Sequence, residues 1–167
     1  MCIRDRETAV AKGERLRSEA GSSGPSSRGA LPANGRVGRM KGSPAYRVAP
    51  GADISEDATI GDGSSIWHLA QVREGVRMGR DCVVGRGAYI GSGVQMGNGC
   101  KIQNYALVYE PAKLADGVFV GPAAVFTNDH FPRAVNPDLS PKSASDWEPV
   151  GVICQEGASI GARAVCV

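Results

Sequence analysis

The chain carries only two imidazoles, His68 and His130, and each is a candidate for proton transfer near neutral pH. Two histidines cannot supply a three-histidine zinc site, and the five cysteines contain no CxxC pair, so no metal centre is expected. The odd cysteine count reads as reduced thiols rather than a disulfide framework. Arg133 presents a planar fork suited to a pyrophosphate or a carboxylate; alternatively it pairs with Asp129 or Asp138 and shapes the local chain. Asn128 stands two residues before His130. Its amide can accept and donate, or cap the backbone in an Asx-turn. His130 is in turn either a general base or a residue without catalytic duty.

The element that must position these residues is a repeat of six. From Ile54 to Phe126 every sixth residue is apolar, without exception. Two residues before each stands a small or β-branched residue, as in Ala70 before Val72 and Cys100 before Ile102. Gly follows the large residue at 61, 79, 85, 91, 97 and 121. Neither a helix period near 3.6 nor a strand period of 2 sustains a six, so the pattern marks a solenoid of short strands. Each hexapeptide supplies one strand with two inward residues, then a corner where Gly is expected to accept positive φ. Three hexapeptides close a coil, so residues 18 apart stack at about 4.8 Å. One face then stacks Ile54, Val72, Ile90, Val108 and Phe126; the second Ile60, Met78, Met96 and Leu114; the third Ile66, Val84, Ile102 and Val120. Cys82 and Cys100 become stacked neighbours, close enough for a disulfide and here read as two reduced apolar side chains.

The composition fits such a thin prism. Gly numbers 23 of 167 and aromatics are 5%, while 42% of residues are hydrophobic. The formal charge of +2 conceals two unlike parts. Residues 1–45 hold nine Lys/Arg against four Asp/Glu, whereas 46–167 hold ten against thirteen. The basic excess sits in a Gly/Ser/Arg-rich lead with too few apolar residues for a core, which is expected to be disordered. Its opening MCIRDR reads as sequence foreign to the protein, with Met40 as the alternative start. A nucleic-acid-binding domain is thereby disfavoured. No apolar run suits a membrane span or a signal peptide, so no membrane association and a cytoplasmic location are expected. Residues 127–149 carry four prolines and no period, and are expected to leave the solenoid as one long loop. The repeat resumes at Val152 and Cys154 and stops mid-coil at Val167, so the domain over 46–167 is expected to be truncated at its C-terminus.

The repeat resembles that of the hexapeptide-repeat acyltransferases. Within them IWH (Ile66–His68), KIQN (Lys101–Asn104), VFVGPAAVFTND (Val118–Asp129) and PRA (Pro132–Ala134) resemble the bacterial nucleotide-sugar N-acetyltransferases. The resemblance covers about residues 48–167. It implies an all-β fold, a left-handed parallel β-helix, assembled as a homotrimer with active sites between subunits. It also implies acetyl-coenzyme A as co-substrate, lying along the coils, and a nucleotide-linked amino sugar as acceptor. Asn128 matches the Asn of the family's FTN motif, which implies that it positions the reacting amine. Gln103, Asn104, Asp129 and Arg133 are the expected substrate-binding residues, and Trp67 and His68 the expected trimer contacts. In the enzymes resembled, the position of His130 is often not His, which leaves its role as base open. Two further readings stand beside this one: O-acetylation by the same fold, and a β-helix that binds without catalysing. A β-helix carbonic anhydrase is disfavoured by the histidine count.

Overall fold

The computed structural model describes residues 46–167; the lead over 1–45, with the disorder expected of it, lies outside the described residues. Seventeen strands of two residues each follow one another, and no helix forms among the described residues. They pair in parallel into sheets of six, six and five strands, the three faces of a β-solenoid. Partners lie 18 residues apart, as in Ile66 with Val84 and Ile90 with Val108. Face I is the stack from Ile54 to Phe126, extended by Cys166. Face II runs from Ile60 to Leu114 and gains Cys154. Face III runs from Ile66 to Val120 and gains Ile160.

Face III also begins one strand earlier than the repeat. Val48 pairs with Ile66, although Tyr46 occupies the place where the pattern has a small residue.

The alternation inside each hexapeptide sets the packing. In Ala70-Gln71-Val72 the first and third side chains are buried and the middle one is exposed. Inward residues from Ile66 to Phe126 are at most 5% exposed, so each large one contributes roughly 1.5–3 kcal/mol of burial. The small partner is required because a coil three strands round leaves no width for two large residues. The inward residues of the outermost coils, Ala52, Ile54, Ile160 and Cys166 among them, are only partly buried.

The corner glycines work differently from the expectation. Positive φ falls not on the glycine after the large residue but two positions later, at Gly63, Gly75 and Gly93 for example, and there Leu69, Asp81, Tyr105, Ala123 and Arg163 adopt it too. Glycine directly after the large residue is demanded by the next coil. A Cβ on Gly79 would lie 2.6 Å from the carbonyl carbon of Gly97 and 2.7 Å from its oxygen. Two distinct constraints therefore share each corner, one steric and one conformational.

No strand forms between Phe126 and Ile153. There the offset between stacked partners changes from 18 to 40, with Leu114 against Cys154 and Phe126 against Cys166. The register of all three faces survives this insertion of 22 residues unchanged. The inserted segment has turns and one isolated antiparallel bridge, Val135 with Pro141.

Cys82, Cys100, Cys154 and Cys166 are free thiols. The Cys82 and Cys100 sulfurs each lie 3.2 Å from a carbonyl of the following coil, that of Gly97 and that of Ala115, and donate to it. The neighbouring Cys100 thiol and burial hold Cys82 well above the ordinary thiol range, and burial pushes Cys154 up to about 11. Denatured protein without reductant should titrate all five thiols of the chain; two missing would mean that the stacked pair is bridged. Gly79→Ala and Gly93→Ala separate the two corner constraints. The first should cost up to about 3 kcal/mol in urea unfolding, because backbone must shift. The second, with open space round its Cβ, should cost only about 1 kcal/mol for the left-handed backbone.

Candidate active site

Chemistry on a solenoid of this kind has to sit at the edges, because the faces are regular and the interior is full. Each corner's middle residue projects along the edge, and its usual partner is the coil below. The backbone N–H of Arg80 donates to Asn98 Oδ1 at 2.9 Å, and that of Asn98 to Asp116 Oδ1 at 2.7 Å. The Asn98 backbone and side chain together hold the Asp116 carboxyl below the usual carboxylate range. The same device appears at Asn104, whose Oδ1 accepts from the Arg86 N–H at 2.9 Å. Asn104 is thus committed to the corner through its oxygen and keeps its amide N–H groups for other partners.

Four of the sequence-chosen residues share the edge between faces III and I. Trp67, His68, Gln103 and Asn104 line one groove of about 340 Å³ with Arg86. Trp67 is 38% exposed, with the Arg47 guanidinium 4.7 Å from its ring centre and the His68 ring 6.3 Å away. Arg86 Nε donates to the Tyr105 hydroxyl at 3.2 Å. Of the five non-glycine corner residues with left-handed backbone, Leu69, Tyr105, Ala123 and Arg163 fall on this edge and only Asp81 elsewhere. Such strain, of order 1–3 kcal/mol each, collects where side chains are needed outside. Arg86 and Tyr105 were not singled out from the sequence; for Tyr105 the signal was available as a non-glycine residue at the corner's third position.

The other chosen residues start from the edge between faces I and II. Asn128 Nδ2 donates to the Glu110 carbonyl at 2.8 Å, and the Asn128 carbonyl accepts from the Val150 N–H at 2.9 Å. The first bond fixes the amide with Oδ1 as its unused acceptor among the described residues. Asp129 turns the chain by accepting from the Phe131 N–H at 2.8 Å, and its other oxygen lies 3.7 Å from Lys142 Nζ. Lys142, not Arg133, is therefore the cation beside Asp129. Arg133 is exposed and donates to the Pro132 carbonyl, while Asp138 accepts from Ser140. His130 is exposed beside Phe131, with ring centres 6.5 Å apart. Lys142 is separated from Asp129 by a prolyl-rich stretch, so spacing alone gave no sign of the pair.

Within one chain these two groups stand on different edges, with face I between them. The same edge as Asn128 carries Glu74, Ser92 and Glu110 at successive corners. Tyr89 and Tyr109 meet there with ring centres 5.1 Å apart, and burial followed by the Glu110 charge pushes the Tyr89 phenol up. A further groove of about 400 Å³ opens on face II, lined by Arg77, Gln95, Lys113 and Gln155 over an apolar floor of Met96, Leu114 and Cys154. Three or more His, Cys, Asp or Glu side chains nowhere converge as a metal set among the described residues.

A solenoid with these corners is the fold of the bacterial hexapeptide transferases. Residues 57–92 match the family described as "Bacterial transferase hexapeptide (six repeats)", and the resemblance read from the repeat stands on that match. Among solved structures, WeeI from Acinetobacter baumannii AYE is similar in fold at 17% identity and a TM-score of 0.53, covering 73% of this chain and 50% of its own. A mutant of perosamine N-acetyltransferase from Caulobacter crescentus, in complex with CoA and GDP-perosamine, is 24% identical at a TM-score of 0.42, over 74% of this chain and 45% of its own. The chain spans about half the length of both structures. No curated protein matches it.

Asn104→Ala should lose about 1 kcal/mol of stability with the corner bond, whereas Asn104→Asp should stay within a few tenths, because Asp116 makes the same bond at its own corner. Urea unfolding of the two variants reads the difference.

Proposed function

We propose that the protein is an acetyl-coenzyme A-dependent N-acetyltransferase whose acceptor is the amino group of a nucleotide-linked amino sugar. The observation that carries this reading is the fixed amide of Asn128. Held through Nδ2 by the Glu110 carbonyl, it offers Oδ1 to a donor at the point where the chain leaves the repeat. A neutral amine donates an N–H to that oxygen while its lone pair attacks the thioester carbon. The C–N bond forms, the C–S bond breaks, and the proton lost by nitrogen ends on the coenzyme sulfur. Holding amine and thioester in register is the main contribution asked of the protein. In this reading His130 is the candidate imidazole for the proton, and an amine that is already neutral needs no such help.

The face II groove suits the coenzyme. Arg77 and Lys113 offer cations to its phosphates, and the exposed Ile153 offers apolar contact to its pantetheine arm. Gln103, Asn104, Trp67 and His68 stand on a different edge from Asn128, Asp129 and Arg133. A site using both sets takes one edge from each of two copies, and in this reading the copies close as a trimer with three equal sites. The Trp67 groove then lies at the subunit contact, and Arg133 is assigned to the sugar nucleotide, its guanidinium keeping further N–H groups for phosphate or carboxylate beside the one given to the Pro132 carbonyl.

Thiol release from acetyl-coenzyme A, measured with a panel of UDP- and dTDP-linked amino sugars and their hydroxyl counterparts, tests the reading. At least one amino sugar should release thiol, and Asn128→Ala should lower its kcat/KM by about 100-fold, as removal of one well-placed polar group does. Release with hydroxyl sugars alone would make the enzyme an O-acetyltransferase.

A further inference from the structure

At three corners the middle residue is an Asn or Asp whose side-chain oxygen caps an N–H of the coil below: Asn98 on Arg80, Asn104 on Arg86, Asp116 on Asn98. Glu110 holds the equivalent position on the edge between faces I and II, and the N–H it would cap is that of Ser92. It makes no such bond. One methylene longer, its carboxylate folds over Gly91, with Oε2 buried and without a hydrogen-bond partner. Glu74, on the same edge, shows that a glutamate there can be satisfied: its oxygens accept from Ser92 Oγ at 3.1 Å and from Arg73 at 2.8 Å. Among the described residues Glu110 is the one whose buried side-chain oxygen is left unmatched. An unmatched buried carboxylate oxygen is costly, and Asn or Asp would remove that cost at this corner.

Glu110 is also the residue whose carbonyl fixes Asn128, one coil above it. Two acceptors therefore belong to successive corners of one edge, Asn128 Oδ1 and the Glu110 carboxylate, on backbones about 4.8 Å apart by strand spacing. Glu110 is half-buried, so a change of rotamer brings its carboxylate outward beside the amide. A hydroxyl has a single hydrogen to give to such a pair. A primary amine has two, and its protonated form three.

We propose that Glu110 engages the acceptor's amino group together with Asn128, and that this pair of acceptors selects an amine over a hydroxyl. The proposal rests on the N-acetyltransferase reading and deepens it.

The test compares wild type with Glu110→Gln and Glu110→Asn. Glu110→Asn should cap the Ser92 N–H and raise the melting temperature by about 3 °C, while both variants lose about 30-fold or more in kcat/KM for the amino sugar. KM for acetyl-coenzyme A should stay within twofold. Calorimetric titration with the amino sugar nucleotide and its hydroxyl counterpart should show wild type preferring the amine by about tenfold and Glu110→Gln preferring neither. A wild type that acetylates no amino sugar overturns the functional reading and this proposal with it. A wild type that is active on amines, beside a Glu110→Gln variant within twofold of it, overturns the role of Glu110 alone. A lower melting temperature for Glu110→Asn would show that the glutamate serves the corner after all.

Discussion

Everything in this fold follows from the distance at which one coil lies upon the next. Parallel strands pair at about 4.8 Å, and here the corners are stacked as closely as the strands. At that separation a Cβ on Gly61 would lie 2.5 Å from the Gly79 carbonyl carbon, so the residue after each large inward side chain is often pressed to glycine. The same spacing puts the corner's middle residue within reach of the backbone below, which is why Asn98, Asn104 and Asp116 bond downward rather than to their own coil. It also packs the interior as alternating layers of large and small side chains, with Ala88 and Ile90 both fully buried. Few positions are left where a side chain is free to do anything else.

Those positions are where the repeat is broken. Trp67 and Gln103 stand where neighbouring coils have Gly85 and Gly121, and they line one groove. Leu69 and Tyr105 hold left-handed backbone without being glycine, and both are more than half exposed beside it. Glu110 and Asn128 stand on another edge at the last corners before the inserted segment. Regular corners consume their polar groups internally. The irregular ones hold their side chains at the surface, as Trp67, Leu69 and Tyr105 show.

The sequence made the fold legible because a period of six is dictated by backbone geometry and survives almost any outward substitution. The three stacks and the 18-residue register could be written down before any coordinates, since Val72, Ile90 and Val108 carry no other message. Val48 was missed because Tyr46 replaces the small residue that announces a strand. The role of the corner glycines was misassigned because two unlike constraints, close approach and left-handed backbone, both ask for glycine and fall two residues apart. The site was less legible for a physical reason. Lys142 meets Asp129 and Arg86 meets Tyr105 through contacts that no periodicity encodes. Asn104 looks the same in a sequence whether its amide serves a corner or a substrate.

The 22 residues inserted between faces I and II change no register, because they enter and leave at one corner while the stacked pairs on every face continue. Length and composition at that corner are therefore decoupled from the stability of the prism. The segment running on from Asn128 is free to be exchanged, lengthened or recoloured in charge without reopening the problem of folding.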